Sequence, residues 1–183
     1  TCARPIWLVR GDPTEGALLV LGEKLGLNIE EERKAYPRVY EVPFTSERKM
    51  MITVHRGPDG GTIAFMKGAV EVVLNKCTTI HLDGASKPLN TVDRQNIMRA
   101  AEDMAGKALR VLALAYRHVG EIEPDGLEHD FTFLGLTGMI DPPRPDAVEA
   151  IKIAQTAGMR TIMVTGDHKL TALTIAKEVG IYR

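Results

Sequence analysis

"RKMMITVHRGPDGGTIAFMKGAVEVVL", Arg48 to Leu74, decides the fold. It reads as an extended segment and then a hairpin that turns through Gly57-Pro58-Asp59-Gly60-Gly61. Closing the loop at Arg56 and Thr62 sets Lys67 opposite Met51. Because side chains alternate faces along a strand, Lys49 is then expected to share the face of Lys67 as its diagonal neighbour. Val70 onward has helical character, so Lys67 and Gly68 mark a strand-to-helix junction. Two like charges so placed either flank an anion or stand as solvated edge residues that protect the sheet from aggregation. Gly68 permits close backbone approach, which suits a phosphate. Phe44, just upstream, is either an ordinary core aromatic or a surface for a nucleotide base. Arg110 either reaches the same phosphates or is simply solvated.

Working outward, "GDPTEGALLVLGEKLGL" predicts a helix with Asp12 as N-cap, Pro13 in the first position and Glu15 closing a capping box. Leu18, Leu21 and Leu25 are its expected buried stripe. "RVYEV" continues as an extended segment, "VEVVLNKC" is a short helix and "HLDGASKPL" contains a turn. A longer helix follows over "TVDRQNIMRAAEDMAGKAL", with Asp93 as cap and Ile97, Ala101 and Met104 as its apolar face. "RVLALAYRHV" and "FTFLGLTGMI" are strands. Up to Ile140 the pattern fits an antiparallel sheet covered by helices. After "DPPR", whose double proline stiffens a junction, the order becomes helix, strand ("RTIMV") and helix, the last capped by Asp167.

Composition narrows the classes. The chain has 183 residues, 44% of them apolar, and a formal net charge of −1, which argues against a dominant nucleic-acid or anionic-membrane surface. The apolar runs, such as Val111 to Tyr116, fall well short of the ~20 residues a membrane span needs. Cys2 and Cys77 form neither a metal motif nor a disulfide framework, so a reducing compartment is expected. The opening "TCARPIWLV" suggests a piece of something longer.

Six motifs, "GDPTEGALL", "PFTSERKMM", "FMKGAVEVVL", "LRVLALAYR", "DPPRPDAV" and "MVTGDHKLTALTIAKEVGI", occur in an order that resembles the P-type ion-pumping ATPases. The resemblance is closest to the calcium-pump branch in its bacterial and secretory-pathway form, and it spans Gly11 to Ile181. It implies an α/β nucleotide-binding domain over residues 1–140, built as an antiparallel sheet flanked by helices. A hinge at 141–144 and a helix-strand-helix part of a Rossmann-like phosphorylation domain over 145–183 would follow. By this resemblance Phe44 stacks on adenine, Glu15 lines the base side, Lys67 borders the nucleotide with Lys49, Met51 and Gly68 nearby, and Arg110 contacts the phosphates. Asp141 and Arg144 sit at the hinge. Thr165, Gly166 and Asp167 approach the terminal phosphate and help organise Mg2+ when the domains close. "FLGLTGMI" and "RTIMV" look like a βαβ unit, but the family places the first strand in the nucleotide domain.

Two departures stand out. Val70 replaces the proline of the family's KGAPE motif, and Ser46 stands where animal calcium pumps carry an arginine, which leaves open whether Arg48 compensates. Neither the phosphoacceptor motif DKTGT nor TGDGVND occurs in these residues, so the expectation is a chain that binds ATP without forming a phosphoenzyme. Its partners would be ATP and the remaining phosphorylation, actuator and transmembrane domains of the same polypeptide, at the cytoplasmic face of a membrane. An isolated parallel-sheet strand needs neighbours, so Ala147 to Arg183 is expected to be mobile or to find a partner strand. Two rivals remain: a haloacid-dehalogenase-class hydrolase, which needs a DxDx(T/V) loop absent here, and a regulatory module that has lost the nucleotide, against which Phe44, Lys67 and Arg110 count. A Walker-type ATPase is excluded by the lack of GxxxxGK(S/T).

Overall fold

The computed structural model describes residues 12–120, 122, 126–140, 143–165 and 169–182. In chain order the elements are α1 (Pro13–Lys24), α2 (Ile29–Ala35), β1 (Arg38–Val42), β2 (Met50–Arg56), β3 (Thr62–Gly68), α3 (Val70–Lys76) and β4 (Cys77–Leu82). They continue with β5 (Ala85–Pro88), α4 (Thr91–Ala105), β6 (Arg110–Val119), β7 (Phe131–Met139), α5 (Pro145–Thr156) and α6 (Lys169–Glu178).

The hairpin forms in the expected register, with Arg56 paired to Thr62 and Met51 to Lys67. Around it the strands order as β1-β2-β3-β6-β7-β4-β5 in one sheet. All neighbouring pairs are antiparallel except β4 with β7, which run parallel. The sheet is therefore mixed α/β and mostly antiparallel, and "FLGLTGMI" lies within it as β7, beside β6.

Alternation makes the two faces unequal. Met50, Ile52, Val54, Ala64, Met66, Ala113 and Ala115 point to one side and are buried, where Val70, Val73 and Leu74 of α3 and Ala101 of α4 complete a single core. Full burial of the Val, Leu, Ile and Met side chains among these supplies the main stabilisation, about 1.5–3 kcal/mol each. Met51, Thr53, Phe65, Lys67, Leu114 and Tyr116 point to the other side. That side is more open, and its aromatic groups touch edge to face: His55 with Phe65, and Tyr116 with both His81 and His118.

Several local expectations are corrected. The side chain of Asp12 accepts from the Thr14 amide as predicted, but Glu15 does not close a capping box. Its carboxylate pairs with the Lys67 ammonium, a stronger partner than a backbone amide. Leu21 and Leu25 are exposed, Leu25 by 72%, and α1 buries only Gly16, because the helix meets the sheet through polar groups of its first turn. Asn90, not Asp93, caps α4; its side chain accepts from the Asp93 amide. "RTIMV" forms no strand, and Ile162 and Val164 are exposed. Helix α6 is present, its expected cap Asp167 lying outside the described residues. The hydroxyl of Thr174 in α6 donates to the Gly106 carbonyl after α4 at 3.2 Å.

Candidate functional site

The register brings the basic residues to one end of the open face. Lys67 lies next to Met51 on one side and Leu114 on the other. Arg110 begins β6, and it shares the face of Leu112 and Leu114, since β6 runs without interruption and the irregularity of its pairing with β7 skips Leu134 of β7. Helix α1 closes over this end. Its Glu15 pairs with Lys67, and the Thr14 hydroxyl accepts from Arg110 Nη1 at 3.2 Å. Hydrogen bonds from Thr14, joined by the Glu15 amide and the nearby Arg110 charge, hold the Asp12 carboxyl below its ordinary value. The side chain of Lys67 is 20% exposed, so its charge is partly withdrawn from water yet reachable.

The connection of residues 43–49 borders the same end. Phe44 is 59% exposed and packs in no core, which fits a stacking surface better than an ordinary core aromatic. Lys49 departs from the sequence expectation. Its φ of +53° takes it out of strand geometry, so face alternation does not extend to it. Its amide donates to the Thr45 carbonyl and its carbonyl accepts from the Ala69 amide, while its side chain is exposed. Gly68 is required by the fold itself: a Cβ there would lie 2.5 Å from the Lys49 carbonyl oxygen and 2.7 Å from Met50 Cβ. The close approach it permits is thus taken by β2.

Sequence reasoning left the role of Arg48 open. Its Nε lies 3.2 Å from Glu128 Oε1, and Glu128 Oε2 accepts from Lys76 Nζ at 3.2 Å. Arg48 thus pairs with Glu128. Neither Thr14 nor Glu128 was singled out by sequence, because each works through a residue far away in the chain.

Of the phosphoryl-side residues, Arg144 and Thr165 lie among the described ones. Arg144 is exposed and donates through Nε and Nη2 to Asp146, at 3.1 and 2.5 Å, which keeps the Asp146 carboxyl below its ordinary value. Thr165 ends the described irregular stretch and is exposed. Asp141, Gly166 and Asp167 lie outside the described residues. Chemically, the sheet end offers two cations, one of them held by a carboxylate: a surface that fits an anion.

Residues 2–146 match the family pattern described as P-type ATPase, cytoplasmic domain N. The chain belongs to the P-type ATPase family. This P-type ATPase chain is 44% identical over 173 residues to Calcium-transporting ATPase 1 of Bacillus cereus, covering 93% of its own length and 19% of that relative. It is also 44% identical over 179 residues to Cation-transporting ATPase pma1 of Synechocystis, covering 96% and 19%. With Calcium-transporting ATPase of Bacillus subtilis the identity is 38% over 178 residues, covering 96% and 20%. The P-type ATPase chain thus spans about a fifth of the length of these relatives. Among its described residues no helix is long and apolar enough to cross a membrane.

Proposed function

We propose that the open end of the sheet is the ATP site of a cation pump, and that residues 1–140 are its nucleotide domain, 141–144 its hinge and 145–183 the start of its phosphorylation domain. The carrying observation is the convergence of Lys67, Arg110 and the first turn of α1 at one end of one face of the sheet; the exposure of the Phe44 ring supports the reading. Phe44 would stack on adenine and Glu15 line the base side. Lys67 would border the nucleotide, and Arg110 would meet the phosphates. Mg2+ would come with the nucleotide and neutralise phosphate charge, with Thr165, Gly166 and Asp167 helping to organise it when the domains close. In the intact pump, at the cytoplasmic face of a membrane, the terminal phosphate would pass to an aspartate outside these residues; alone, they bind ATP without phosphoryl transfer. The printed names of the relatives favour calcium as the transported ion.

Calorimetric titration with ATP, ADP and GTP tests this reading. Binding in roughly the sub-millimolar to millimolar range is expected. It should prefer adenine and weaken about tenfold or more in Phe44→Ala, the loss of one stacking contact, and fall further in Lys67→Ala. ATP binding indifferent to both substitutions would overturn the assignment of the pocket.

A further inference from the structure

Glu128 ties together two segments that lie far from it in the chain. Leu127 beside it is fully buried. Arg117 Nη1 donates to the carbonyls of Gly126 and His129 at 3.1 and 2.6 Å, gripping the backbone on both sides of Glu128. The carboxylate so held divides its two oxygens between Arg48, from the 43–49 connection, and Lys76, from the end of α3. Arg48 reaches in turn to the Pro43 carbonyl at 3.4 Å, the peptide unit immediately before Phe44. The Arg48 amide also donates to Thr45 Oγ1 at 3.1 Å, so the connection folds around Thr45 from both ends.

We infer that Glu128 is a positioning residue for base recognition: through Arg48 it fixes the peptide unit ahead of Phe44, and with it the aromatic surface offered to the base. The inference rests on the ATP-site reading above. A carboxylate suits this task because one rigid group serves two cations, and its charge-assisted bonds are stronger than neutral ones. Lys76 offsets the second oxygen and limits the swing of the carboxylate toward solvent. Removing the charge frees the Arg48 guanidinium, and the ring must then be ordered at the moment of binding, which lowers affinity.

The full chain is titrated with ATP and with inorganic tripolyphosphate, which carries the anion but no base, as wild type, Glu128→Gln, Phe44→Ala and the double variant. Glu128→Gln is expected to weaken ATP roughly three- to tenfold, to leave tripolyphosphate unchanged, and to add nothing once Phe44 is gone, since the two residues act as one coupled unit. Equal weakening of both ligands, or an undiminished effect in the Phe44→Ala background, marks a merely structural role and overturns the inference. If Phe44→Ala itself leaves ATP affinity unchanged, base stacking falls, and the role of Glu128 falls with it; that outcome is distinct from one in which only Glu128→Gln is silent. Should Glu128→Gln fail to fold, Arg48→Gln cuts the same pair from the exposed side and must give the same pattern.

Discussion

Glu15 of α1 and Lys67 of β3, 52 residues apart in the chain, meet as an ion pair at the open end of the sheet. Any anion that binds Lys67 must displace this carboxylate or share the lysine with it. With the Glu15 side chain half exposed, the pair contributes at most about 1 kcal/mol to stability. Glu15→Gln is therefore expected to unfold almost as wild type does while binding inorganic tripolyphosphate several-fold more tightly, a gain that salt reduces. Weaker tripolyphosphate binding in Glu15→Gln would mean that the pair organises the anion site instead of competing for it.

Gly68 has no room for a side chain, because the Lys49 carbonyl oxygen and Met50 occupy the place of its Cβ. Gly68→Ala must push β2 from β3 at the open end of the hairpin, an overpacking cost of about 1–3 kcal/mol. Urea unfolding should show a lower midpoint with an unchanged slope. A midpoint equal to wild type would show that the junction yields freely.

Arg94 in α4 donates through Nη1 to the Leu74 carbonyl at 2.5 Å and through Nη2 to the Cys77 carbonyl at 2.6 Å. It thereby closes the end of α3 and ties it to α4. Losing it takes one donor from each carbonyl, although the Leu74 oxygen keeps the Cys77 amide, and Arg94→Ala is expected to cost about 1–3 kcal/mol. Arg94→Lys should recover only part of this, since a single ammonium lacks the fork that spans both oxygens. Full recovery with lysine would refute the two-carbonyl role.

Burial pushes the Cys77 thiol from its ordinary value of 9.0 up to about 12, against a smaller opposing pull from the Arg94 charge. In the unfolded chain the thiol ionises near its ordinary value, so between about pH 9 and 12 the unfolded state holds fewer protons than the folded one, and stability falls as pH rises. Below that window Cys77 contributes no pH dependence. Stability measured from pH 8 to 11 should decline less steeply in Cys77→Ala than in wild type. In a Cys2→Ser background, a thiol reagent at pH 8 should label the protein only after denaturant is added. Rapid labelling of the native protein would contradict the burial.

The hairpin was legible because its Gly- and Pro-rich loop lies between two strand-like runs, so register follows from counting once the loop is closed at Arg56 and Thr62. The family was legible for a different reason: its six motifs lie in order along the chain. Local rules placed Asp12 at its cap but misassigned Glu15 and Asp93, since tertiary partners and a better-placed Asn90 outcompeted them. The left-handed turn at Lys49 could not be anticipated, because nothing in the residue type asks for it. The parallel pairing of β4 with β7 was equally hidden: α4 and β6 intervene, and only the closed sheet makes the two strands neighbours. "RTIMV" has the composition of a strand, yet a strand exists only where another backbone is present to pair with it. The Arg48–Glu128 contact joins distant segments, and two charges in a sequence do not declare which opposite charge they will meet.

The place of β6 in the strand order has a consequence for how the protein is made. It stands between β3 and β7, so the hairpin side of the sheet and the β4–β5 side join only through it. During synthesis the free edge of β3 waits roughly fifty residues for its second neighbour, a delay of several seconds at ~5–20 residues per second. Throughout that interval Ala64 and Met66 lack the strand that seals them. The nascent chain is then an open-edged ribbon, most in need of a chaperone just before β6 emerges from the ribosome.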